Sequence, residues 1–211
     1  MAKTRKQPQL MAPGAKDAGG VDPVVQQWIE AYGEDQVTTA WMAVKSESAY
    51  MNYVPVEKMG AIHRSTTKVT MGLGGNRSSK TYTTFFEVMG RCLGVWPDSL
   101  SWKHDDNWKP IKCWVVTRDY PLLREAIDEY FQQLIPHHWI ESWDQNKHIL
   151  QLKNLRDPKS AGTKISFRSA DAGPKKMESA AVDLVFIDEE IGKPVWAPII
   201  TRTISKRGLI Y

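Results

Sequence analysis

The sequence predicts an α/β fold in which helices flank a mostly parallel sheet. Apolar and polar residues alternate from Lys68 to Leu73, as in a strand, and apolar residues recur at helical spacing from Thr81 to Leu93. A loop that contains glycine joins these two segments. Further along the chain, four consecutive apolar residues from Leu184 to Ile187 lead into an acidic run, which is typical of a parallel strand buried on both faces.

The elements between these segments are predicted from the same periodicities. Strands are expected at Lys112 to Arg118, His148 to Lys153 and Thr163 to Arg168, and a helix at Leu122 to Leu134. The last residues, from Gly208 to Tyr211, indicate the start of a further strand. Strands that alternate with helices favour a sheet with crossover helices on its faces.

Length and composition limit the class of protein. The chain has 211 residues and a mass of 24.0 kDa, which is enough for one sizeable α/β domain with its own core. The formal net charge of +4 permits contact with a nucleic-acid backbone without requiring it. Cys92 and Cys113 have no metal-binding spacing and are expected to be reduced core thiols. No apolar run fits a membrane span or a signal peptide, so we expect a soluble intracellular protein.

Three regions are predicted along the chain. Residues 1–22 are basic with almost nothing to bury, and we interpret them as a disordered arm that is solvated or, alternatively, touches DNA or a partner. Residues 23–52 are an N-terminal helical extension whose first helix opens at Pro23 and is closed by Gly33. The extension either packs on the core or forms a docking surface. Residues 53–211 hold the predicted sheet.

The loop between the first strand and helix has the chemistry of a phosphate-binding loop. Its residues are Gly74, Gly75, Asn76, Arg77, Ser78, Ser79, Lys80 and Thr81. Backbone N–H groups in such a loop, with the helix N-terminus behind it, converge on phosphate oxygens. Lys80 would reach the β- and γ-phosphates and Thr81 would hold Mg²⁺. Ser79 stands where the usual pattern has its second glycine, so a plain glycine turn before a helix is the alternative.

The acidic run provides the second half of the candidate site. Asp188 follows the buried strand and would emerge at its carboxyl end, where ligands bind in open parallel sheets. There it would complete the Mg²⁺ site with Thr81. Glu189 is one residue further and would orient and deprotonate an attacking water, with Glu190 as the fallback base. The alternative is a buried strand that ends in a solvated acidic turn.

These residues together resemble the ATPase domain of the large terminase subunit of tailed bacteriophages. The resemblance rests on the glycine loop, on Tyr53-Val54-Pro55 and Ile62-His63 ahead of it, and on the strand from Val182 to Glu190, and it covers roughly residues 53–211. It implies a P-loop NTPase of the RecA-like type, in which an additional strand lies between the loop and the Asp188 strand and a catalytic glutamate follows the magnesium aspartate. The order of elements along this chain agrees with that arrangement, because a predicted strand and a predicted helix lie between the loop and the Asp188 strand.

The resemblance also implies the activity and the site. It implies a Mg²⁺-dependent ATPase whose ATP hydrolysis drives viral DNA into the procapsid. Lys80, Arg77 and Glu189 would be catalytic, with Arg168 and Arg202 as other possible sources of the stabilising arginine. Tyr53 would contact the base, although Met59 stands where the family commonly has an adenine-binding glutamine.

The resemblance implies partners and a location as well. The expected partners are double-stranded DNA, the portal protein and the small terminase subunit, with the chain in a homo-oligomeric ring on the procapsid portal in the bacterial host cytoplasm and no membrane. The family's coupling motif and carboxyl-terminal nuclease domain do not follow the Asp188 strand, so we expect an ATPase domain that is incomplete at its C-terminus and has no nuclease activity.

Two other functions and one ambiguous segment stay open. The alternative functions are another nucleic-acid motor ATPase of the same fold, such as a helicase, and nucleotide binding without turnover. Between Gly94 and Pro110, Trp96, Trp102 and Trp108 either stack on bases or cover the edge of the core. In the same segment, residues 104–106 (His-Asp-Asp) are either metal ligands or a solvated turn, and we favour the turn.

Overall fold

The computed structural model describes residues 23–73, 79–131, 133–178 and 180–211. They form two units, one that ends at Ser48 and one that runs from Ala49 to Tyr211. The predicted arm, residues 1–22, lies outside the described residues. The segment predicted as a helical extension, residues 23–52, contains α1 (Pro23–Tyr32) and α2 (Glu34–Met51). Within the described ranges no helix has the length and apolar character needed to cross a membrane.

The larger unit is built from short helices and a six-stranded sheet. Its helices are α3 (Gly60–Arg64), α4 (Lys80–Leu93), α5 (Tyr120–Ala126) and α6 (Lys193–Ile204). Its strands are β1 (Lys112–Thr117), β2 (Ile140–Asp144), β3 (Ile149–Lys153), β4 (Ala161–Ser169), β5 (Leu184–Asp188) and β6 (Leu209–Ile210). Short 3₁₀ helices occur at Glu57–Met59, Asp98–Lys103, His137–Trp139, Ala170–Ala172 and Pro174–Met177.

The sheet has the strand order β2-β3-β4-β1-β5-β6. The pairs β4–β1, β1–β5 and β5–β6 are parallel, whereas the pairs β2–β3 and β3–β4 are antiparallel and form a meander at one end of the sheet. Parallel pairing requires a crossover, and α6 supplies it between β5 and β6. This α/β fold with a mostly parallel sheet confirms the predicted fold class.

Two hydrophobic layers cover the faces of the sheet. Alternate residues of β1 and β5 point to opposite faces, as strand geometry requires. Cys113 and Phe186 pack in the layer that contains most of α4, while Val116 and Val185 pack in the layer that contains α6. Strands β1 and β5 are therefore buried on both faces, which explains their nearly continuous apolar sequences.

Some predicted elements differ from the structure. The predicted strand from Lys68 to Leu73 is reduced to one parallel bridge between Val69 and Ile210. This segment borders the two-residue strand β6, and the side chains of Met71 and Leu73 are exposed, so little burial supports further pairing. The predicted helix at residues 122–134 is α-helical only to Ala126 and continues as a π-helical turn, Ile127–Phe131.

Gly90 allows α4 to pack closely against the loop that follows it. A Cβ atom added at Gly90 would overlap the indole ring of Trp96, which is almost fully buried. We expect Gly90→Ala to lower the free energy of unfolding by about 1–3 kcal/mol through overpacking, although alanine favours a helix interior by about 1 kcal/mol. Urea denaturation would measure this change. Gly60→Ala is the control, because the atoms nearest to an added Cβ belong to the flexible, exposed Arg64 side chain. Equal effects of the two substitutions would contradict the packing explanation.

Candidate active site

The candidate site lies where β1 and β5 end and α4 begins. Thr117, the last residue of β1, pairs in register with Asp188, the last residue of β5. The residues that follow these two strands, Arg118 and Glu189, therefore lie at the same edge of the sheet. Lys80 and Thr81, the first residues of α4, reach this edge from the side of the phosphate loop. The structure thus brings together residues that are more than 100 positions apart in sequence.

A hydrogen bond joins the two halves of the predicted site. Thr81 Oγ1 donates to Asp188 Oδ1 at 2.8 Å. Burial raises the pKa of Asp188 and the charge of Glu189 adds to this rise, whereas the Thr81 hydrogen bond and Lys80 act in the opposite direction. A hydroxyl and a carboxylate that lie together at the end of a strand could hold a Mg²⁺ ion that takes its other ligands from phosphate oxygens and water.

Glu189 extends from the end of β5 toward solvent. Its backbone has a left-handed φ of 73° and its side chain is about half exposed. Arg118 Nη1 lies 3.5 Å from Glu189 Oε2, while Arg118 Nε contacts Asp119 Oδ2 at 3.1 Å. We had not selected Arg118 from the sequence. Its position directly after a buried parallel strand was the available signal, the same signal that identified Asp188.

The other two candidate arginines in the described ranges have structural contacts. The guanidinium group of Arg168 lies 4.0 Å from the ring centroid of Trp114 and donates to the backbone oxygen of Lys176. The backbone oxygen of Arg202 accepts from Val182. Arg168 stands one residue before the end of β4, which is separated from β5 by β1. Arg118 follows β1 directly and lies 3.5 Å from Glu189.

A cavity of about 690 Å³ opens at this edge of the sheet. Its volume is in the range of small-molecule sites, which is about 300–1,000 Å³. Its polar lining includes Lys80, Thr81, Asp188, Glu189 and Glu190. Apolar walls come from residues such as Ile62, Val69, Phe186, Ile191 and Trp196. The cavity thus presents a lysine, three carboxylates and a hydroxyl beside an apolar wall.

The phosphate loop is described only at its end. Gly74, Gly75, Asn76, Arg77 and Ser78, including the predicted catalytic Arg77, lie outside the described residues. Ser79 has a left-handed φ of 63° immediately before α4. This is a conformation that glycine adopts at little cost, so the structure explains why the usual pattern has glycine at this position. Serine occupies the same conformation here.

Tyr53 lies in the core beneath α4. It is 4% exposed, its ring stacks on Phe86 with centroids 3.8 Å apart, and its Oη lies 3.0 Å from His63 Nε2. Tyr53 is outside the lining of the 690 Å³ cavity. A contact between Tyr53 and a base would require the side chain to leave this packing, and the contact stays a prediction.

The structure describes no metal site made of clustered protein ligands. In the described ranges, no group of three or more His, Cys, Asp and Glu side chains is arranged to hold a metal ion. His104 Nε2 and Asp106 Oδ1 are 3.2 Å apart, but both side chains are largely exposed. This geometry agrees with the solvated turn that we favoured. The tryptophans of the same segment differ in exposure: Trp96 is buried, whereas Trp102 is exposed.

Comparisons with known proteins agree with the fold. No protein-family model and no curated protein matches the chain. Among solved structures, the large terminase ATPase domain of Thermus phage P74-26 is similar, with a TM-score of 0.55 and 21% identity, and a mutant of that domain gives 0.56 and 19%. Both matches cover 77% of this chain and 66% of the other. The large terminase of a thermophilic bacteriophage matches with a TM-score of 0.50 and 10% identity, over 80% of this chain and 37% of the other.

These similarities show the fold of the chain. The mostly parallel sheet and its flanking helices share the α/β fold of these large terminase ATPase structures. The chain spans slightly less than two thirds of the Thermus phage domain that it matches. Its resemblance to large terminases, first seen in the motifs, thus extends to the three-dimensional fold.

Proposed function

We propose that the chain hydrolyses ATP with Mg²⁺ at the edge of the sheet that holds Asp188. The observation that carries this proposal is the 2.8 Å hydrogen bond between Thr81 and Asp188. It joins the first turn of the helix after the phosphate loop to the acid at the end of β5. P-loop NTPases hold Mg²⁺ with this combination of hydroxyl and carboxylate.

Each side chain of the site has a role in this proposal. The backbone of residues 74–79 and the Lys80 ammonium group would hold the phosphates, and Thr81 and Asp188 would hold the metal. Bound Mg²⁺ supplies positive charge to the phosphate oxygens. Glu189 would orient a water and accept its proton, and Arg118 holds the Glu189 carboxylate near the site. Arg77 would stabilise the charge that develops on the γ-phosphate.

We further propose that this hydrolysis drives a DNA-packaging motor. The support is the similarity in fold to two phage large terminases, together with the motif order of the chain. On this proposal the chain acts on double-stranded DNA, assembles as a ring with the portal protein and the small terminase subunit, and works in the host cytoplasm at the procapsid portal. Turnover that is stimulated by DNA, without separation of the strands, would distinguish packaging from a helicase.

Replacing Asp188 with asparagine tests the metal site directly. Asp188→Asn keeps the size of the side chain and removes its charge, so we expect MgATP turnover to fall by at least about 100-fold. ATP affinity measured in EDTA should not change, because Lys80 and the loop are intact. Phosphate release and binding of a fluorescent ATP analogue, with and without Mg²⁺, are the measurements.

Asp106→Asn is the matched control for this experiment. Asp106 is almost fully exposed and lies in the segment after α4, so the substitution should leave turnover unchanged. Undiminished turnover by Asp188→Asn would exclude the proposed metal site. Wild-type binding without turnover would favour a nucleotide-binding module, and no binding at all would exclude the phosphate-loop assignment.

A further inference from the structure

A second cleft lies at the opposite edge of the sheet. Its walls include Ile111, just before β1, Asp183 and Leu184 at the start of β5, and Gly208 and Leu209 at the start of β6. These are the amino ends of the parallel strands, whereas the candidate active site lies at their carboxyl ends. The cleft has a volume of about 740 Å³ and belongs to the unit that runs from Ala49 to Tyr211.

The lining of this amino-end cleft is strongly basic. Seven lysine and arginine side chains and two carboxylates line it, and two of the seven cations, Arg91 and Lys103, share the buried Glu87 carboxylate behind the cleft. The exposed cations are Arg64, Lys68, Lys109, Lys206 and Arg207. Within the residues that the structure describes, no ion pair is recorded for these five side chains. Their charges are available to an anionic ligand that is extended enough to reach several of them.

One aromatic side chain of the cleft is also available. Trp96 is buried, and Trp108 is held by a 2.7 Å hydrogen bond from its Nε1 to the Arg91 backbone oxygen. Trp102 is 61% exposed, and Lys103 Nζ lies 5.2 Å from its ring centroid. An exposed indole beside several cations is the combination with which proteins bind unpaired nucleotides.

We propose that the amino-end cleft binds a single strand of nucleic acid. Arg64, Lys109, Lys206 and Arg207 contact the phosphates, and Trp102 stacks on one base. The cleft volume of about 740 Å³ is in the range of sites that enclose a ligand of small-molecule size, which suits a short stretch of one strand. This site is distinct from the ATP site, and the proposal does not depend on ATP hydrolysis.

A neutralised double variant tests the phosphate contacts. Anisotropy of a fluorescein-labelled oligothymidine is titrated with the full chain, without ATP, over a series of salt concentrations. Lys109→Gln with Lys206→Gln should weaken binding about tenfold and reduce the slope of log K against log salt by roughly 1.4, because each lost phosphate contact contributes about 0.7 for a single strand. Lys175→Gln with Lys176→Gln, in the exposed 3₁₀ helix after β4, is the control with the same change in charge and should bind like the wild type.

A second variant tests the stacking contact. Trp102→Ala should weaken binding of the single strand at least about fivefold and leave the weaker binding of the matching duplex unchanged. The proposal would be overturned if the Lys109 and Lys206 double variant bound the oligonucleotide as tightly as the wild type. It would also be overturned if the Lys175 and Lys176 control lost as much affinity as that double variant. Tighter binding of the duplex than of the single strand, or equal competition by polyglutamate, would overturn it too.

The same samples separate this proposal from the ATPase proposal. Binding of a fluorescent ATP analogue is measured on the wild type and on each cleft variant. The variants should retain nucleotide affinity, because their substitutions lie at the opposite edge of the sheet. If neither the wild type nor any variant binds ATP, the ATPase proposal fails. The oligonucleotide measurement still decides whether the cleft binds a single strand.

Discussion

Substitution of Glu189 by glutamine is expected to remove ATP turnover and to leave ATP binding intact. Glutamine keeps the shape and the hydrogen-bonding capacity of the side chain, but it cannot accept a proton from water. General-base catalysis typically contributes about 10²- to 10⁴-fold to a rate, and we expect turnover to fall by that amount. Steady-state phosphate release and binding of MgATP, measured on the same preparation, would check both parts of the expectation.

Glu190→Gln is the matched control for this substitution. Glu190 is the next residue, is exposed and lines the same cavity, so the two variants differ only in which carboxylate is lost. Arg118 contacts Glu189 at 3.5 Å, which favours Glu189 as the group held at the site. If Glu190→Gln loses turnover while Glu189→Gln retains it, Glu190 is the general base and Glu189 is not. If both variants keep full turnover, neither carboxylate is the base.

Much of the site could be predicted from the sequence because its parts are local patterns. The periodicity after the phosphate loop identified α4, and the apolar run before Asp188 identified β5. In a parallel sheet these two patterns determine where Thr81 and Asp188 must lie, since strand ends and helix beginnings meet at one edge. The sequence patterns thus predicted that Thr81 and Asp188 lie close together, and the 2.8 Å hydrogen bond shows that contact.

Other features depend on contacts between distant segments and could not be predicted. Helix α6 was missed because Pro194 and Pro198 interrupt its pattern, although one stands in its first turn and tertiary packing accommodates the other. Glu87 was not selected either, because a single acid in an amphipathic helix usually faces solvent. Its burial depends on side chains from several separate segments, and no periodicity in α4 indicates them.

Replacement of Glu87 by glutamine is expected to destabilise the fold strongly. Glu87 is fully buried and accepts hydrogen bonds from His63 Nδ1 at 2.9 Å, Lys103 Nζ at 2.9 Å and Tyr211 Oη at 3.1 Å, and Arg91 Nη2 lies 2.7 Å from it. The substitution leaves the Arg91 and Lys103 cations without their shared anion. Loss of one partner of a buried ion pair costs about 3–5 kcal/mol, which urea denaturation at neutral pH would measure. The exposed Glu141→Gln is the control and should be nearly neutral.

The pH dependence of this difference separates charge from packing. Burial alone would raise the pKa of Glu87, but the hydrogen bond from His63 and the charges of Arg91 and Lys103 outweigh burial and lower it. A lowered pKa stabilises the fold above the unfolded value, which is about 4.3 for glutamate, and this contribution disappears as the pH falls through the folded value. The stability difference between wild type and Glu87→Gln should thus be constant above about pH 5 and shrink below about pH 4. A difference that persists undiminished into the acid range would mean that Glu87 acts through its shape, and that its charge is not what anchors α4 behind the candidate phosphate site.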